Sequence, residues 1–265
     1  MLLCARVVDA GKDAHDCLTT LGRGDTPGTR GAADRAFAKP ASIGGVSMAG
    51  VPDLSRMRND YTAGRLREED LAPTWVEQFD RWFADVVAAE LPEPNAVVVA
   101  TADADGAPDA RIVLVKGYDQ SGFLFGTSYA SAKGAQLAVN PRAALVFPWH
   151  ALQRQVRVTG RVERVGDTAS DGLWDPRPRG SQLAAVASVQ STVVDSRAEL
   201  EERVRLLDEQ TPGEKVPRPA IWGGYRVVPE TVEFWQGGKD RLHDRLKFVR
   251  DDAEGGGWIV QRLAP

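Results

Sequence analysis

The residues best able to do chemistry cluster near the C-terminal end of the chain. Arg241-Leu242-His243-Asp244-Arg245 closely follows Trp235-Gln236-Gly237-Gly238. Arg241, His243 and Arg245 alternate, and alternate residues of a β-strand lie on one face. Cationic groups held side by side are costly unless an anion lies between them. The pattern therefore predicts a strand with one face that binds an anionic ligand.

A second pair of cations flanks a short apolar run. Arg111 and Lys116 bracket Ile112-Val113-Leu114-Val115, which has the composition of a strand. Their positions differ in parity, so a regular strand would point them to opposite faces. They reach one ligand only if the strand twists or bulges, or if the ligand wraps around its end. Charges at strand ends are more often simply solvated.

Two further segments have the composition of phosphate sites. Ser131-Ala132-Lys133-Gly134 opens a predicted helix, and the free N–H groups of a helix N-terminus favour a phosphate. Arg177-Pro178-Arg179-Gly180-Ser181-Gln182 offers two guanidinium groups and a hydroxyl, and arginine binds phosphate through paired hydrogen bonds. Taken alone, the first segment is more typical of an ordinary helix cap with an exposed lysine, and the second is as typical of a surface turn as of a binding site. Spacing thus predicts anion-binding clusters without defining a reaction.

Bulk properties exclude several classes of protein. The net charge of -4 argues against a nucleic-acid-binding domain, which is usually basic. Cys4 and Cys17 give no disulfide framework or zinc spacing, so we expect no metal site. The sequence has no Walker loop, dinucleotide fingerprint, nucleophile elbow or HExxH motif. Without a signal peptide or an apolar run of roughly 20 residues, we expect a cytoplasmic protein.

Short strands joined by turn residues must position these groups. Thr74-Trp75-Val76-Glu77 is a capping box that opens a helix. We assign the apolar stripe of this helix to the core: Trp75, Phe79, Trp82, Phe83, Val86 and Val87. The predicted strands are 95–101, 111–116, 123–127, 143–149, 155–165, 225–228, 231–235, 241–250 and 258–263, and further helices are predicted at 131–139, 167–175 and 196–209. Such short connections favour an antiparallel barrel or sandwich.

The chain divides into two predicted regions. Residues 1–50 are rich in Gly, Ala, Asp and Arg, a composition that buries little and predicts disorder. Residues 51–265 are expected to form one domain. Met48 and Met57 lie where the ordered pattern begins, so we expect that the native chain starts near one of them. Native peptides that precede Met48 in mass spectra would contradict that expectation.

Taken together, the motifs resemble those of the pyridoxamine 5'-phosphate oxidase family, in order and in spacing, from about Met57 to Pro265. The segments that carry the resemblance are Arg111–Lys116, Phe147-Pro148-Trp149-His150, Arg154-Gln155-Val156, Arg177–Gln182, Trp222-Gly223-Gly224-Tyr225-Arg226, Glu233-Phe234-Trp235-Gln236-Gly237, Arg241–Arg245 and Arg262-Leu263-Ala264-Pro265. The resemblance implies an FMN-binding split β-barrel, mainly β with flanking helices and of antiparallel Greek-key type. It further implies a homodimer with FMN at the subunit interface.

The resemblance also implies an activity and the residues that perform it. FMN would oxidise pyridoxamine or pyridoxine 5'-phosphate to pyridoxal 5'-phosphate, with O2 giving hydrogen peroxide and the amine releasing ammonia. Arg241 and His243 would be the catalytic pair that holds the pyridine ring. The implied flavin contacts are Arg111, Lys116, Thr127, Lys133, Gln155, Gln190, Ser191, Trp235 and Arg245. The implied substrate contacts are Lys116, Arg177, Ser181, Arg241, His243, Arg58 and Tyr61.

Three positions depart from the family pattern. Gly126 stands where an aromatic residue is usual, Ala132 replaces an arginine, and Leu173 replaces a tyrosine. Losing a charge-assisted bond weakens binding by roughly 1.5–3 kcal/mol, so we expect FMN and substrate to bind less tightly than in typical members. A flavin or deazaflavin reductase, a non-catalytic FMN or pyridoxal phosphate carrier, and a plain β-barrel interaction module remain alternative interpretations.

Overall fold

A closed antiparallel β-barrel forms the centre of the fold. The structure is a computed structural model that describes residues 53, 54, 57, 59–213, 215–251 and 256–265. The segment predicted to be disordered, 1–50, and the candidate substrate residue Arg58 lie outside the described residues. The strands are β1 (Ala96–Ala102), β2 (Pro108–Asp119), β3 (Gly122–Ser128), β4 (Arg142–Trp149), β5 (Arg154–Arg164), β6 (Trp222–Gln236), β7 (Asp244–Asp251) and β8 (Gly257–Arg262).

The barrel closes because β6 pairs with different strands along its length. β1 pairs with β2 and β4, β2 with β3, and β5 with β4 and β6. The first part of β6, Trp222–Val227, pairs with β3 and completes a ring of six strands. The last part, Thr231–Gln236, pairs with β7, which pairs with β8. This antiparallel barrel confirms the predicted fold class.

The strands predicted at 225–228 and 231–235 are a single strand, so that division was wrong. Pro229 cannot donate a ladder hydrogen bond and resembles a strand break in the sequence. In the structure, the β5–β6 register shifts between Thr159 and Gly160, directly opposite Pro229. The irregularity absorbs the proline, and β6 continues through it.

Five helices flank the barrel in the described part of the chain: α1 (Trp75–Ala88), α2 (Ala132–Val139), α3 (Asp167–Trp174), α4 (Arg179–Ala187) and α5 (Arg197–Gln210). Thr74 and Glu77 form the predicted capping box of α1. Phe79 of α1 packs with its ring centroid 5.1 Å from those of Phe123 and Phe147 in the barrel core. Val87 is 52% exposed, so its assignment to the buried stripe was wrong.

Helix α4 was not predicted. Its first turn contains Gly180 and follows Pro178, and both residue types lower helix propensity in the sequence pattern. Packing compensates, because Leu183 of α4 joins Trp174 and Trp222 in a second buried cluster beside the barrel. No described helix is long and apolar enough to cross a membrane.

Candidate active site

Eight predicted site residues line one groove beside the barrel. Three adjoining cavities of about 330, 500 and 420 Å³ share Arg177 in their walls and together form this groove. We call it the cationic groove and define it by Arg111, Lys116, Thr127, Lys133, Arg177, Ser181, Gln190 and Ser191. Strands β2 and β3, helices α2 and α4, the loop before α4 and the segment after it contribute these residues. The fold thus gathers segments that are far apart in the sequence.

Lys133 is a buried cation in this groove. Ser131 caps α2 by accepting the N–H of Gly134, and Lys133 lies in the first turn with 6% exposure. Its Nζ donates to Thr127 Oγ1 at 3.3 Å and to Ser131 Oγ at 3.4 Å. Burial, reinforced by the charge of Arg111, lowers the pKa of Lys133. No carboxylate of the described residues forms an ion pair with it, so an anion in the groove would relieve the buried charge.

Arg111 is fixed at the same end of the groove. Its Nη1 donates to Thr101 Oγ1 at 2.6 Å on β1, and its Nη2 donates to Gln136 Oε1 at 3.1 Å on α2. It also pairs with Asp109. These partners hold the guanidinium in place while leaving it in the wall of the groove.

Lys116 occupies a β-bulge. The β2–β3 register runs from Val115 opposite Phe125 to Gly117 opposite Leu124, so Lys116 is the extra residue between them. Its side chain is exposed and lines two of the three cavities. Arg111 and Lys116 were predicted to reach one ligand only if the strand twisted or bulged, and β2 has the bulge at Lys116 itself.

Arg177 has an unsatisfied hydrogen-bond donor. It lies between α3 and α4, and its Nη2 donates to the backbone oxygen of Ser181 at 3.2 Å. Its Cζ lies 5.0 Å from the ring centroid of Trp222 and 5.6 Å from that of Trp174. The Nε is buried and has no hydrogen-bond partner in the described structure, and burial lowers the Arg177 pKa. An orphaned buried donor destabilises by about 1–3 kcal/mol, which a bound anion would offset.

The segment after α4 returns to the groove with two polar residues. Gln190 Oε1 accepts a hydrogen bond from Thr127 Oγ1 at 3.1 Å. Ser191 follows with a φ of 75°, in the left-handed region that non-glycine residues rarely adopt. Such strain persists only where the surroundings impose it, and it is frequent at ligand sites.

The three departures from the family pattern also lie at this groove. Gly126, Ala132 and Leu173 line its cavities. A Cβ built at Gly126 would lie 2.6 Å from Cη2 of Trp222, so the indole ring already fills that space. Trp222 belongs to one of the family motifs, but nothing in the sequence pattern indicated that its ring adjoins Gly126.

A second group of predicted residues forms an aromatic cluster. The Trp235 cluster consists of Tyr61, Trp235, Arg241 and His243. The ring centroids of Trp235 and His243 are 4.6 Å apart, and that of Tyr61 is 5.8 Å from Trp235 and 5.7 Å from His243. The Cζ of Arg241 lies 5.5 Å from the Tyr61 ring centroid. Gly237 permits this packing, because a Cβ there would lie 2.8 Å from Cγ of Tyr61.

The predicted strand through Arg241, His243 and Arg245 was wrong. β7 begins only at Asp244, and Arg241 ends a 3-10 turn, Lys239–Arg241. Asp240 and Arg241 have φ values of 55° and 65°, which no regular strand contains. The left-handed turn therefore breaks the alternation.

Arg245 has its own carboxylate partner. Glu233 is buried and accepts from Arg245 Nε at 2.7 Å and from Arg157 Nη1 at 3.3 Å. Gln155 and Arg245 lie opposite Trp235 on either side of β6, so the three residues sit at one level of the sheet. Sequence reasoning missed Glu233, because an acidic residue in a strand gives no sign that it faces a cation on the next strand.

The contacts of His243 define its protonation state. The backbone N–H of Gly238 donates to His243 Nδ1 at 3.1 Å. Nδ1 is therefore the acceptor, and the proton of the neutral ring is on Nε2. Burial first, then the charges of Arg241 and Arg245, lower the pKa of His243. The imidazole is accordingly neutral near pH 7 and can donate one hydrogen bond from Nε2.

Asp244 ties the N-terminal segment to this cluster. Its carboxylate accepts from Arg65 Nε at 2.9 Å, from the Leu66 N–H at 3.1 Å and from Arg262 Nη1 at 2.9 Å. Burial alone would raise the pKa of Asp244, but these hydrogen bonds together lower it. Gln153 Oε1 adds bonds from two backbone N–H groups of the same segment. Tyr61 is thereby held against the Trp235 cluster.

None of the Trp235 cluster, nor Gln155 or Arg245, is among the residues that line the cationic groove. One chain thus presents the candidate site in two parts. The groove carries four cationic side chains, those of Arg111, Lys116, Lys133 and Arg177, and the cluster carries aromatic rings with a neutral imidazole and one guanidinium.

Comparison with known proteins identifies the family. Residues 83–210 match the family described as "Pyridoxamine 5'-phosphate oxidase", and residues 222–265 match "Pyridoxine 5'-phosphate oxidase C-terminal dimerisation region". A pyridoxine/pyridoxamine 5'-phosphate oxidase of Burkholderia cenocepacia (strain HI2424) is 52% identical over 212 residues, covering 80% of this chain and 99% of the relative. The chain belongs to the pyridoxine/pyridoxamine 5'-phosphate oxidase family. The relative from Salinispora arenicola (strain CNS-205) is 54% identical over 213 residues, with 80% and 96% covered.

Solved structures of similar fold agree with this family. PhzG from Burkholderia lata 383, solved with tetrahydrophenazine-1-carboxylic acid, is 30% identical, with a TM-score of 0.70, 74% of this chain and 95% of that chain covered. A pyridoxamine 5'-phosphate oxidase-related, FMN-binding protein of Nostoc punctiforme PCC 73102 is 17% identical, with a TM-score of 0.59 and coverage of 74% and 99%. At that identity the second likeness concerns the fold alone. The first is similar to this chain in sequence as well as in fold.

Proposed function

We propose that the protein binds FMN and oxidises pyridoxamine or pyridoxine 5'-phosphate to pyridoxal 5'-phosphate with O2. The observation that carries the proposal is the pair of buried, under-satisfied cations in one groove, Lys133 and the Nε of Arg177. A folded chain retains such groups where an anion normally lies between them. Both the cofactor and the substrates of the proposed reaction carry a phosphate.

The groove has room and charge for two phosphates. Arg111 and Lys133 share the cavity of about 500 Å³, and Arg177 and Ser181 share that of about 420 Å³, with Lys116 in both walls. The first pair suits the FMN phosphate, aided by Thr127, Gln190 and Ser191. The second pair suits the substrate phosphate, and Lys116 lies between the two.

The Trp235 cluster suits the pyridine ring of the substrate. Its aromatic side chains offer flat apolar contact, and the neutral His243 can donate from Nε2 to a ring substituent. Arg241 can stabilise negative charge that develops at the reacting centre. The chemistry that the flavin supplies when bound is two-electron oxidation, with return of the electrons to O2 as hydrogen peroxide and, for the amine, loss of ammonia. The chain's own task is to bind and align the two rings.

The two parts of the site would meet in a homodimer. The C-terminal dimerisation region contains Trp235, Arg241, His243 and Arg245, whereas the groove lies mostly in the preceding part of the chain. A two-fold dimer uses the same surface on both subunits, so one subunit's groove can face its partner's Trp235 cluster twice. Gln155, opposite Trp235 in the sheet, would belong to the partner's share of each site.

The first experiment follows the flavin absorption of FMN-loaded protein mixed with pyridoxine 5'-phosphate in the absence of oxygen. Bleaching, then recovery with pyridoxal 5'-phosphate formation on admitting air, is the expected result. Unphosphorylated pyridoxine is the matched control and should bleach far more slowly, because it lacks the group that the groove binds. A flavin that binds and stays oxidised would refute the proposed reaction. Turnover only with a reduced deazaflavin would favour a reductase instead.

Mixed dimers test the shared site. A Lys133→Met chain and an Arg241→Leu chain are each expected to be nearly inactive. Random re-association gives mixed dimers with one intact and one doubly altered site, so about a quarter of the wild-type activity should return. If both parts of a site came from one chain, mixing would restore nothing.

A further inference from the structure

The bulge at Lys116 has a side-chain partner outside its own strand. Asn95 precedes β1, and its Nδ2 donates to the backbone oxygen of Val115 at 2.9 Å. The Val115 N–H donates in turn to the backbone oxygen of Asn95 at 3.0 Å. The regular β1–β2 pairing ends one residue earlier, at Ala96 opposite Leu114. The Asn95 amide therefore satisfies the last carbonyl of the ladder, just where the bulge begins.

Core packing supports this bulge on one side only. The side chain of Val115 is buried in the barrel core. A cavity of about 160 Å³ lies there, lined by Phe79, Phe83 and Phe147 together with Asn95 and Lys116. Empty space forfeits the close contacts that normally fix a backbone. The packing of Val115 fixes the start of the bulge, and the hydrogen bond from the Asn95 side chain to the Val115 oxygen fixes the peptide that leads into Lys116.

The path of the backbone decides where Lys116 points. Lys116 lines the part of the groove that holds Arg111 and Lys133 and the part that holds Arg177 and Ser181. A bulge re-aims the side chain that it carries, and a regular strand would set Lys116 at a different angle. We propose that Asn95 is a positioning residue, which fixes the bulge so that Lys116 reaches a phosphate in the groove.

This inference rests on the proposed function, because it assumes that the groove binds a phosphorylated ligand. The probes are FMN, added to flavin-free protein, and pyridoxal 5'-phosphate, added to the FMN-loaded protein. Asn95→Leu keeps the size of the side chain and removes the donor. This substitution should weaken the binding of pyridoxal 5'-phosphate by about tenfold in Kd, which is the effect of losing one hydrogen bond to a charged ligand. Unphosphorylated pyridoxal should bind equally to both proteins.

A double-mutant cycle separates positioning from general destabilisation. If Asn95 acts through Lys116, then Asn95→Leu adds little in a Lys116→Met background. Asp119→Asn is the matched control at the last residue of β2, three residues beyond the bulge, where Asp119 accepts from the Ser121 N–H at 2.7 Å and from Arg226 at 2.6 Å. It should lower Tm while leaving the Kd for pyridoxal 5'-phosphate unchanged.

Several outcomes overturn the inference. These are an unchanged Kd in Asn95→Leu, additive losses in the double variant, or equal losses for phosphorylated and unphosphorylated ligands. Wild-type protein that binds neither probe would instead refute the proposed function, and this inference with it. Should Asn95→Leu not fold, Asn95→Asp supplies the same comparison, since at neutral pH it replaces the donor by an acceptor of equal size.

Discussion

Replacing Lys133 by methionine should stabilise the flavin-free protein while weakening the binding of FMN. The ammonium is 6% exposed, and its two acceptors are hydroxyls at 3.3 and 3.4 Å. Burial lowers its pKa, which means that the folded protein disfavours the charged form. Methionine has a similar length and carries no charge to bury. A structural lysine would behave in the opposite way, because its removal would break favourable contacts.

The two effects can be sized. Replacing buried charged groups by apolar residues of similar volume has stabilised proteins by roughly 1–4 kcal/mol, and the lower end applies here because Lys133 keeps two hydrogen bonds. About 1 kcal/mol raises Tm by roughly 2–4 °C for a chain of this size. Loss of a charge-assisted bond to phosphate weakens binding by about 1.5–3 kcal/mol, or roughly 10- to 150-fold in Kd.

The assay pairs thermal unfolding of the flavin-free protein with FMN titration by fluorescence quenching. Lys215→Met is the control, because Lys215 is 71% exposed on its side chain and pairs with Asp175 at the surface. It should change both quantities little. A Lys133→Met protein with lower Tm and unchanged FMN affinity would refute the reasoning, since Lys133 would then be a structural residue.

Three further changes test other parts of the site. Gly126→Phe should lower Tm by about 2–12 °C, because overpacking against Trp222 destabilises by about 1–3 kcal/mol; an unchanged Tm in calorimetry would contradict this. Arg241→Leu should raise the pKa of His243 towards its ordinary value of about 6.5, since one of the charges that disfavour the imidazolium is gone. NMR titration of the ring measures this pKa. An unchanged pKa would show that the charge of Arg241 does not act on His243. Asp244→Asn should destabilise by about 2–3 kcal/mol at pH 7 in urea unfolding. Because folding lowers the pKa of Asp244, its carboxylate stabilises the fold fully above the unfolded pKa of about 3.9, and this stabilisation disappears as pH falls through the folded pKa. A stability difference between wild type and Asp244→Asn that persists at lower pH would show that it does not come from the charged carboxylate.

The barrel was predictable because its signals are local. Strand alternation and turn residues defined β1, β3, β4 and β5 to within a few residues, and the capping box at Thr74 marked the start of α1. The exceptions are elements whose local signal opposes their packing. Helix α4 begins at Arg179, with Pro178 before it and Gly180 in its first turn, and the packing of Leu183 in the second buried cluster overrides that local preference.

The sequence could not predict which charged groups the fold buries. The sequence around Lys133 was more typical of an ordinary helix cap, and the sequence around Arg177 was as typical of a surface turn as of a site. Only the fold brings α2, β3 and the start of α4 together and buries Lys133 and the Nε of Arg177. Unsatisfied burial, rather than residue type, distinguishes a binding cation from a solvated one.

The predicted strand through Arg241, His243 and Arg245 shows how charge pairing in the fold changes an expectation that was based on alternation alone. Alternation in the sequence predicted that Arg241, His243 and Arg245 share one anion. In the structure Glu233 neutralises Arg245, and His243 is kept neutral by burial and by the neighbouring guanidinium groups. One guanidinium, that of Arg241, then faces the rings of the cluster. A phosphate would find less compensation here than in the groove, so a neutral or weakly charged aromatic ring is the better ligand for this part. In the proposed site, the charges that the fold has already paired therefore decide which part suits the ring and which part suits the phosphate.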